Sequence, residues 1–199
     1  MAFNVDEFRN AIQADGARPN LFDVEVTLKA GSSAQRKLTF SARAAQLPGS
    51  TIGYAPLSYF GREVKFAGNR TFEPWTITII NDEDFAVRNA IELWMQGLNQ
   101  TALNIRTYPG QIYQSDAKVT QYSKQGLPIK SYSFKGLFPT ELGAISLDWG
   151  TNDTIEEFDV TFQYQYWVES GSLGAIAGGI ASAAGIGSAL SSAASAVGL

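Results

Sequence analysis

The side chains of this 199-residue chain best suited to chemistry are carboxylates, because histidine and cysteine are both absent. That removes thiolate nucleophiles, zinc-type sites and the commonest general base together. Two acidic clusters remain. Asp82, Glu83 and Asp84 are contiguous, and Glu156, Glu157 and Asp159 form a second group. Converging carboxylates could hold a metal or share acid–base work, but neither cluster has the spacing for it. The first precedes a helical pattern, where carboxylates cap amides and interact favourably with the helix dipole. The second lies on a strand pattern, where adjacent residues face opposite ways. No nucleophile elbow, phosphate loop or dinucleotide fingerprint occurs. With only carboxylates, Lys, Tyr and Ser available, an enzyme is the weakest reading, and no cofactor or metal is expected. A binding reading survives: Trp75, Trp149 and Trp167 could form the sugar platform of a carbohydrate-binding β-sandwich, which predicts a discrete monomer and a saturable ligand.

The elements that position these residues belong to a folded, β-rich protein. The chain is 45% hydrophobic and 12% aromatic, far from a disordered composition. Its 15 basic and 19 acidic residues give a net charge of −4, and the basic residues are scattered. A protein that grips nucleic acid shows the opposite bias, whereas one that DNA slides past is compatible with this one. The amino terminus, MAFNVDEFRN, carries charges where an export signal needs an apolar run, so none is expected.

Asn4 and Glu7 have capping-box spacing, predicting a short helix to about Ala14, followed by a turn at DGARPN. Residues 21–29 alternate, with Phe22, Val24, Val26 and Leu28 on one face. Residues 36–46 do the same with Leu38, Phe40, Ala42 and Ala44, and Gly31 with its serines suits a hairpin between the two strands. Strands are also expected at 63–66, 75–80, 103–108, 117–123, 129–138 and 144–149. Asn81 or Asp82 should cap a helix to about Gln96 with a stripe of Val87, Ile91, Trp94 and Leu98. The last expected strand is the longest: Phe158, Val160, Phe162, Tyr164, Tyr166 and Val168 alternate with Asp159, Thr161, Gln163 and Gln165. These elements predict a mainly β protein, an antiparallel sandwich or barrel with one flanking helix, a short N-terminal helix and a long protruding loop.

That loop is the excursion at residues 47–61. Pro48 and Pro56 restrict it, Gly49, Gly53 and Gly61 permit bends, and Leu47, Ile52, Tyr54, Leu57, Tyr59 and Phe60 make it too apolar to stand in water. It either meets a partner, with Arg62 at its base available to a neighbouring carboxylate, or folds back onto its own core. A domain of residues 1–170 is then followed by an uncharged extension at 171–199, of which 22 residues are Gly, Ala or Ser. Its seven glycines and six serines make it a poor hydrocarbon span, so no membrane partner is expected. A thin apolar seam at helical spacing runs through it.

The middle of the chain, LPGSTIGYAPLSYFGREVKFAGNRTFEPWTITIINDEDFAVRNAIELWMQGLN, resembles the tail tube proteins of T-even-like contractile phages. The PGSTI segment, the YFGREVKFAGNRTF strand pair, the PWTITI strand, and NDEDF leading into a helix carry the resemblance, as does the later FPTELGAISLDW. It extends from about residue 5 to 168 and does not cover the extension. The resemblance implies a structural virion protein that forms hexameric rings stacked into a tube. Its partners would be further copies of itself, the tail sheath, the baseplate and the tail terminator. DNA would pass through the lumen without specific binding, and the protein would reside in the virion tail after assembly in the host cytoplasm. The tube of a protein-delivering injection device or tailocin, or a baseplate tube initiator, would share these features. The 47–61 excursion is then the candidate ring-stacking arm, from Leu47, Pro48 and Gly49 through Phe60 and Arg62. Asp159, Thr161, Gln163 and Gln165 are candidates for lining the lumen, although alternation alone fits an outer, solvent-facing sheet equally well.

Overall fold

A computed structural model describes residues 5–11, 16–29 and 32–169. The proposed capping box at Asn4, the end of the first helix near Ala14, Gly31 and the 171–199 extension lie outside these residues. The elements are α1 (Val5–Ala11), β1 (Phe22–Val26), α2 (Ser32–Ser41), β2 (Ala42–Ala45), β3 (Thr51–Tyr59), β4 (Arg62–Thr71), β5 (Trp75–Ile80), α3 (Ala86–Leu98), β6 (Ser115–Tyr122), β7 (Pro128–Leu142), β8 (Glu157–Gln163) and β9 (Tyr166–Glu169).

All strand pairs are antiparallel. The body follows the order β1-β6-β7-β8-β5-β2, with β9 also on β7, and β3-β4 forms a separate two-stranded ribbon. Strand β7 joins the two layers: residues up to Leu137 pair with β6, and Phe138–Leu142 pair with β8. The change of direction falls at Gly136, whose φ of 68° lies in the left-handed region. A Cβ there would stand 2.7 Å from Gln165 Cγ, so glycine is required twice over. Between the layers lies an aromatic core. Trp75 stacks on Phe134 at 4.4 Å, with Phe162 and Tyr164 around them. Helix α3 closes one side with Val87, Ala90, Ile91 and Trp94 buried, close to the expected stripe, and the Trp94 indole donates to Tyr113 O at 2.8 Å.

Several expected strands are replaced by other structure. Residues 32–41 form α2, and only 42–45 form a strand, because Ala34 and Leu38 are one helical turn apart and both buried. Phe40, expected inside, is 84% exposed. Its alternation with Leu38 and Ala42 is too short to separate period two from helical spacing. Residues 103–108 are not a strand: Asn104 N donates back to Gln100 O at 2.8 Å, and Leu103 and Ile105 are exposed. Residues 144–149 run as an irregular segment from which Leu147 and Trp149 project. The expected long final strand breaks at Tyr164–Gln165. There Gln165 N donates to Lys135 O at 2.9 Å, and the chain crosses from β8 to β9 on the other layer.

Helix α3 also starts later than its acidic prelude suggests. Residues 82–85 form a turn, with Phe85 N bonded to Asp82 O at 2.8 Å and Phe85 at φ 51°. Neither Asn81 nor Asp82 caps the helix: Phe85 precedes its first turn and makes no side-chain capping bond, while Asp84 Oδ1 accepts from Ala86 N at 3.0 Å. Lys37 of α2 bridges Asp82 and Asp84. Its ammonium lowers the Asp84 pKa, with the Ala86 amide contributing further.

Candidate assembly surfaces

The segment expected to be an irregular excursion is the first half of a β-hairpin whose register shifts once, between Ile52 and Tyr54. Strands β3 and β4 pair from Thr51↔Thr71 to Tyr59↔Arg62. At roughly 3.3 Å per residue, such a ribbon reaches about 30 Å from its root. Its tip is the two-residue turn Phe60–Gly61, with φ 46° and 78°. Two positive φ values are what a tight hairpin needs to match strand twist. Glycine meets this at no steric cost, and Phe60 meets it while 90% exposed, its ring edge-on to Tyr59 at 4.6 Å. Arg62 therefore stands at the tip of the arm and not at its base as the sequence suggested, because Gly61 reverses the chain immediately before it.

Every residue of β3 and β4 is exposed, and the two strands pack chiefly on each other. The arm does not fold back onto its own core. Its faces differ, since paired residues share a side. One side carries Ala55, Leu57, Val64 and Phe66, and the other carries Pro56, Ser58, Glu63 and Lys65. Lys65 lies over the Tyr54 ring at 4.8 Å. Ile52 and Tyr54 are likewise exposed, at 54% and 61%. Leu47, Pro48 and Gly49 form the root before β3. Two indoles hold this root: Trp75 Nε1 donates to Gln46 O at 2.8 Å, and Trp167 Nε1 donates to Gly49 O at 3.2 Å.

The second surface is the outer face of β2, β5 and β8. It carries Thr76, Thr78, Asp159, Thr161 and Gln163, with Arg43 paired to Glu157. Thr78 Oγ1 donates to Asp159 Oδ1 at 2.6 Å, and the Thr76 and Thr161 hydroxyls are 3.2 Å apart. Three of the four lumen candidates thus share one face. Gln165 does not, because it sits in the break after β8, against Gly136. The other outer positions lie on PWTITI, where Thr76 and Thr78 alternate with buried residues but nothing in the sequence pairs that strand with 157–163. Thr76 and Thr78 were the available signal.

In the first acidic cluster Lys37 bridges Asp82 and Asp84, and in the second Glu157 pairs with Arg43 while Asp159 accepts from Thr78. Among the described residues no group of three or more acidic side chains could hold a metal ion, and no helix is long and apolar enough to cross a membrane. The tryptophan platform also fails: Trp75 is 2% exposed in the core, Trp149 projects fully, and Trp167 packs edge-on to Phe72 and Tyr132.

A two-layered β body carrying an exposed arm defines a class. The fold is shared with a chain of the anti-feeding prophage tube-terminating cap (TM-score 0.60, 18% identity, 86% of this chain and 100% of that one). It is also shared with a chain of the extended sheath–tube complex of the PVC extracellular contractile injection system (TM-score 0.56, 15% identity, 86% and 100%). Residues 17–170 match the family described as phage tail tube protein, and this chain belongs to that family. It is 34% identical to the tail tube protein gp19 of Enterobacteria phage T4 over 82% of this chain and 98% of that one. With the tail tube protein of Serratia phage KSP90 it shares 26% identity over 80% and 93%.

Proposed function

We propose that this chain builds the inner tube of a contractile phage tail. Six copies close into a ring, rings stack through the arm, the sheath surrounds the tube, and baseplate and terminator proteins bound its ends. It is assembled in the host cytoplasm and resides in the virion tail, where genome DNA passes down the lumen. The observation that carries this reading is the arm. An apolar ribbon whose residues are all exposed has no partner in its own subunit, and apolar surface of this extent is stable only when covered. Strands β1, β2 and β9, each paired on one side among the described residues, supply edges through which neighbours can continue the sheets.

The threonine-rich outer face of β5 and β8 is the surface we assign to the lumen. Hydroxyls and carboxylates paired to one another offer phosphate no cluster of lysine and arginine, so counterion release contributes little and DNA slides without holding. Six copies at −4 each put about −24 on a ring. The 34% identity to a phage protein favours DNA as cargo over a delivered protein.

Negative-stain microscopy with light scattering across a concentration series tests the reading. Rings or tubes are expected from the purified protein without nucleic acid. A strict monomer at high concentration that also fails to grow on a baseplate overturns it. The double substitution Ile52→Ser with Tyr59→Ser should leave circular dichroism and melting unchanged while abolishing tubes. Each buried arm side chain contributes about 1.5–3 kcal/mol, repeated around the ring. Tight DNA binding by assembled tubes at physiological salt would refute the lumen assignment.

A further inference from the structure

The arm is basic on an acidic molecule. Arg62, Lys65 and Arg70 against Glu63 give residues 51–71 a net charge of +2, leaving −6 on the rest of a chain whose total is −4. Its apolar side presents Leu57, Val64 and Phe66 close to Arg62 at the tip. A surface of matching character exists at the junction of α2, β5 and the start of α3. There Phe40, Ile80, Val87 and Ile155 line a groove of about 420 Å³. Phe40 and Ile155, on its lips, are 84% and 71% exposed, although both are large and apolar.

Acidic groups rim the groove. Asp82 lines it, Glu83 and Asp84 follow in the same turn, and Glu156 is tied to Asn81 of the groove wall by a 2.9 Å bond from Asn81 Nδ2 to Glu156 Oε2. Against these carboxylates the groove itself offers one cation, Lys37, which is engaged with Asp82 and Asp84. An apolar floor with an acidic rim complements an apolar ridge with a basic tip.

We propose that this groove receives the arm of a second copy of the same chain, an inference that rests on the assembly reading and names the surface the arm meets. Leu57, Val64 and Phe66 enter between Phe40 and Ile155, with Arg62, on the same side of the ribbon, set against the carboxylates of the 82–84 turn and Glu156. The contact is head-to-tail: the arm of one subunit fills a different patch on the next. Such a contact leaves each subunit with one arm and one groove to offer, so it propagates.

The absence of cysteine gives a direct test, since any introduced thiol is the only one. Leu57→Cys and Ile155→Cys proteins are mixed, assembled and treated with a short bismaleimide. A crosslinked dimer is expected from the mixture and not from either variant alone. In parallel, Phe40→Ser with Ile155→Ser, both at exposed positions, should keep the wild-type melting temperature and raise the concentration needed for assembly at least tenfold. If wild-type protein forms tubes but the mixture does not crosslink, or the double variant assembles at the wild-type concentration, the groove is not the receptor and the tube reading stands. Wild-type protein that never assembles overturns both. Crosslinking of Leu57→Cys alone shows arm-to-arm pairing and refutes the groove.

Discussion

Strands β5 and β3 use the same alphabet to opposite ends. Along β5, Trp75, Ile77 and Ile79 are at most 2% exposed, while the residues between them face outward. Along β3, Ile52, Tyr54, Leu57 and Tyr59 are each more than half exposed. Both segments are β-branched or aromatic enough to form strands, and both are paired. What separates them is a second layer: β5 has α2 and the aromatic side chains of β7 against it, and β3 has solvent. Apolar patterning specifies a buried face but does not say which molecule buries it. In the body the chain supplies both layers, and in the arm it supplies one.

Substitutions that respect this division should separate stability from assembly. The largest effect is expected at Trp75→Ala, which removes the centre of the aromatic core and costs about 3–5 kcal/mol in denaturant unfolding. The matching arm variant, Leu57→Ser with Phe66→Ser, should change the stability of the isolated subunit by less than about 0.5 kcal/mol while eliminating tubes. A comparable loss of subunit stability would show that the arm belongs to the body after all. Next, Gly136→Val forces a left-handed backbone on a β-branched residue and drives its Cβ into Gln165, and should cost about 1–3 kcal/mol by thermal melting. Because β7 passes through both layers, that loss should appear as one cooperative transition.

Charge reversal at the tip, Arg62→Glu with Lys65→Glu, should slow assembly about tenfold at low salt, with the difference shrinking as ionic strength rises. Light-scattering time courses at two salt concentrations measure this. The smallest effect belongs to the body. Burial raises the Tyr164 phenol above its ordinary value, and the Glu73 charge adds to it. A raised phenol favours the neutral form in the folded state. Its contribution is therefore complete below pH 10 and is lost as pH rises through the folded value. Tyr164→Phe should flatten the alkaline decline in melting temperature without removing it, because burial raises Tyr122 and carboxylate partners raise Lys37, Lys130 and Lys135 in the same direction.

Much of this architecture is legible in residue order. The 75–80 strand, the α3 stripe, and the alternation of Phe158, Val160 and Phe162 each repeat a period long enough to be unambiguous. Alternation fails where the repeat is short, as at Leu38–Phe40–Ala42, since three residues satisfy a strand while Ala34–Leu38 satisfies a helix. It fails again where a strand changes layers, because Tyr166 and Val168 keep the spacing of Tyr164 after the chain has crossed to another sheet. The arm's apolar residues were visible, but its regularity was obscured by two prolines and three glycines. Pro56 is tolerated because the hairpin has open edges. Arg62 was misplaced for the same reason, since a loop has a base where a hairpin has a tip.

The two indoles at the root of the arm have a mechanical consequence. Trp75 reaches Gln46 from β5, and Trp167 reaches Gly49 from β9, so the segment leading into the ribbon is held by one strand of each layer. A ribbon clamped in this way behaves as a cantilever: a push at Phe60 becomes a bending moment at the clamp, shared by both sheets and not absorbed by a floppy hinge. Trp167→Phe would leave a clamp of one bond, and the beam would pivot there under load while its cross-section stayed intact.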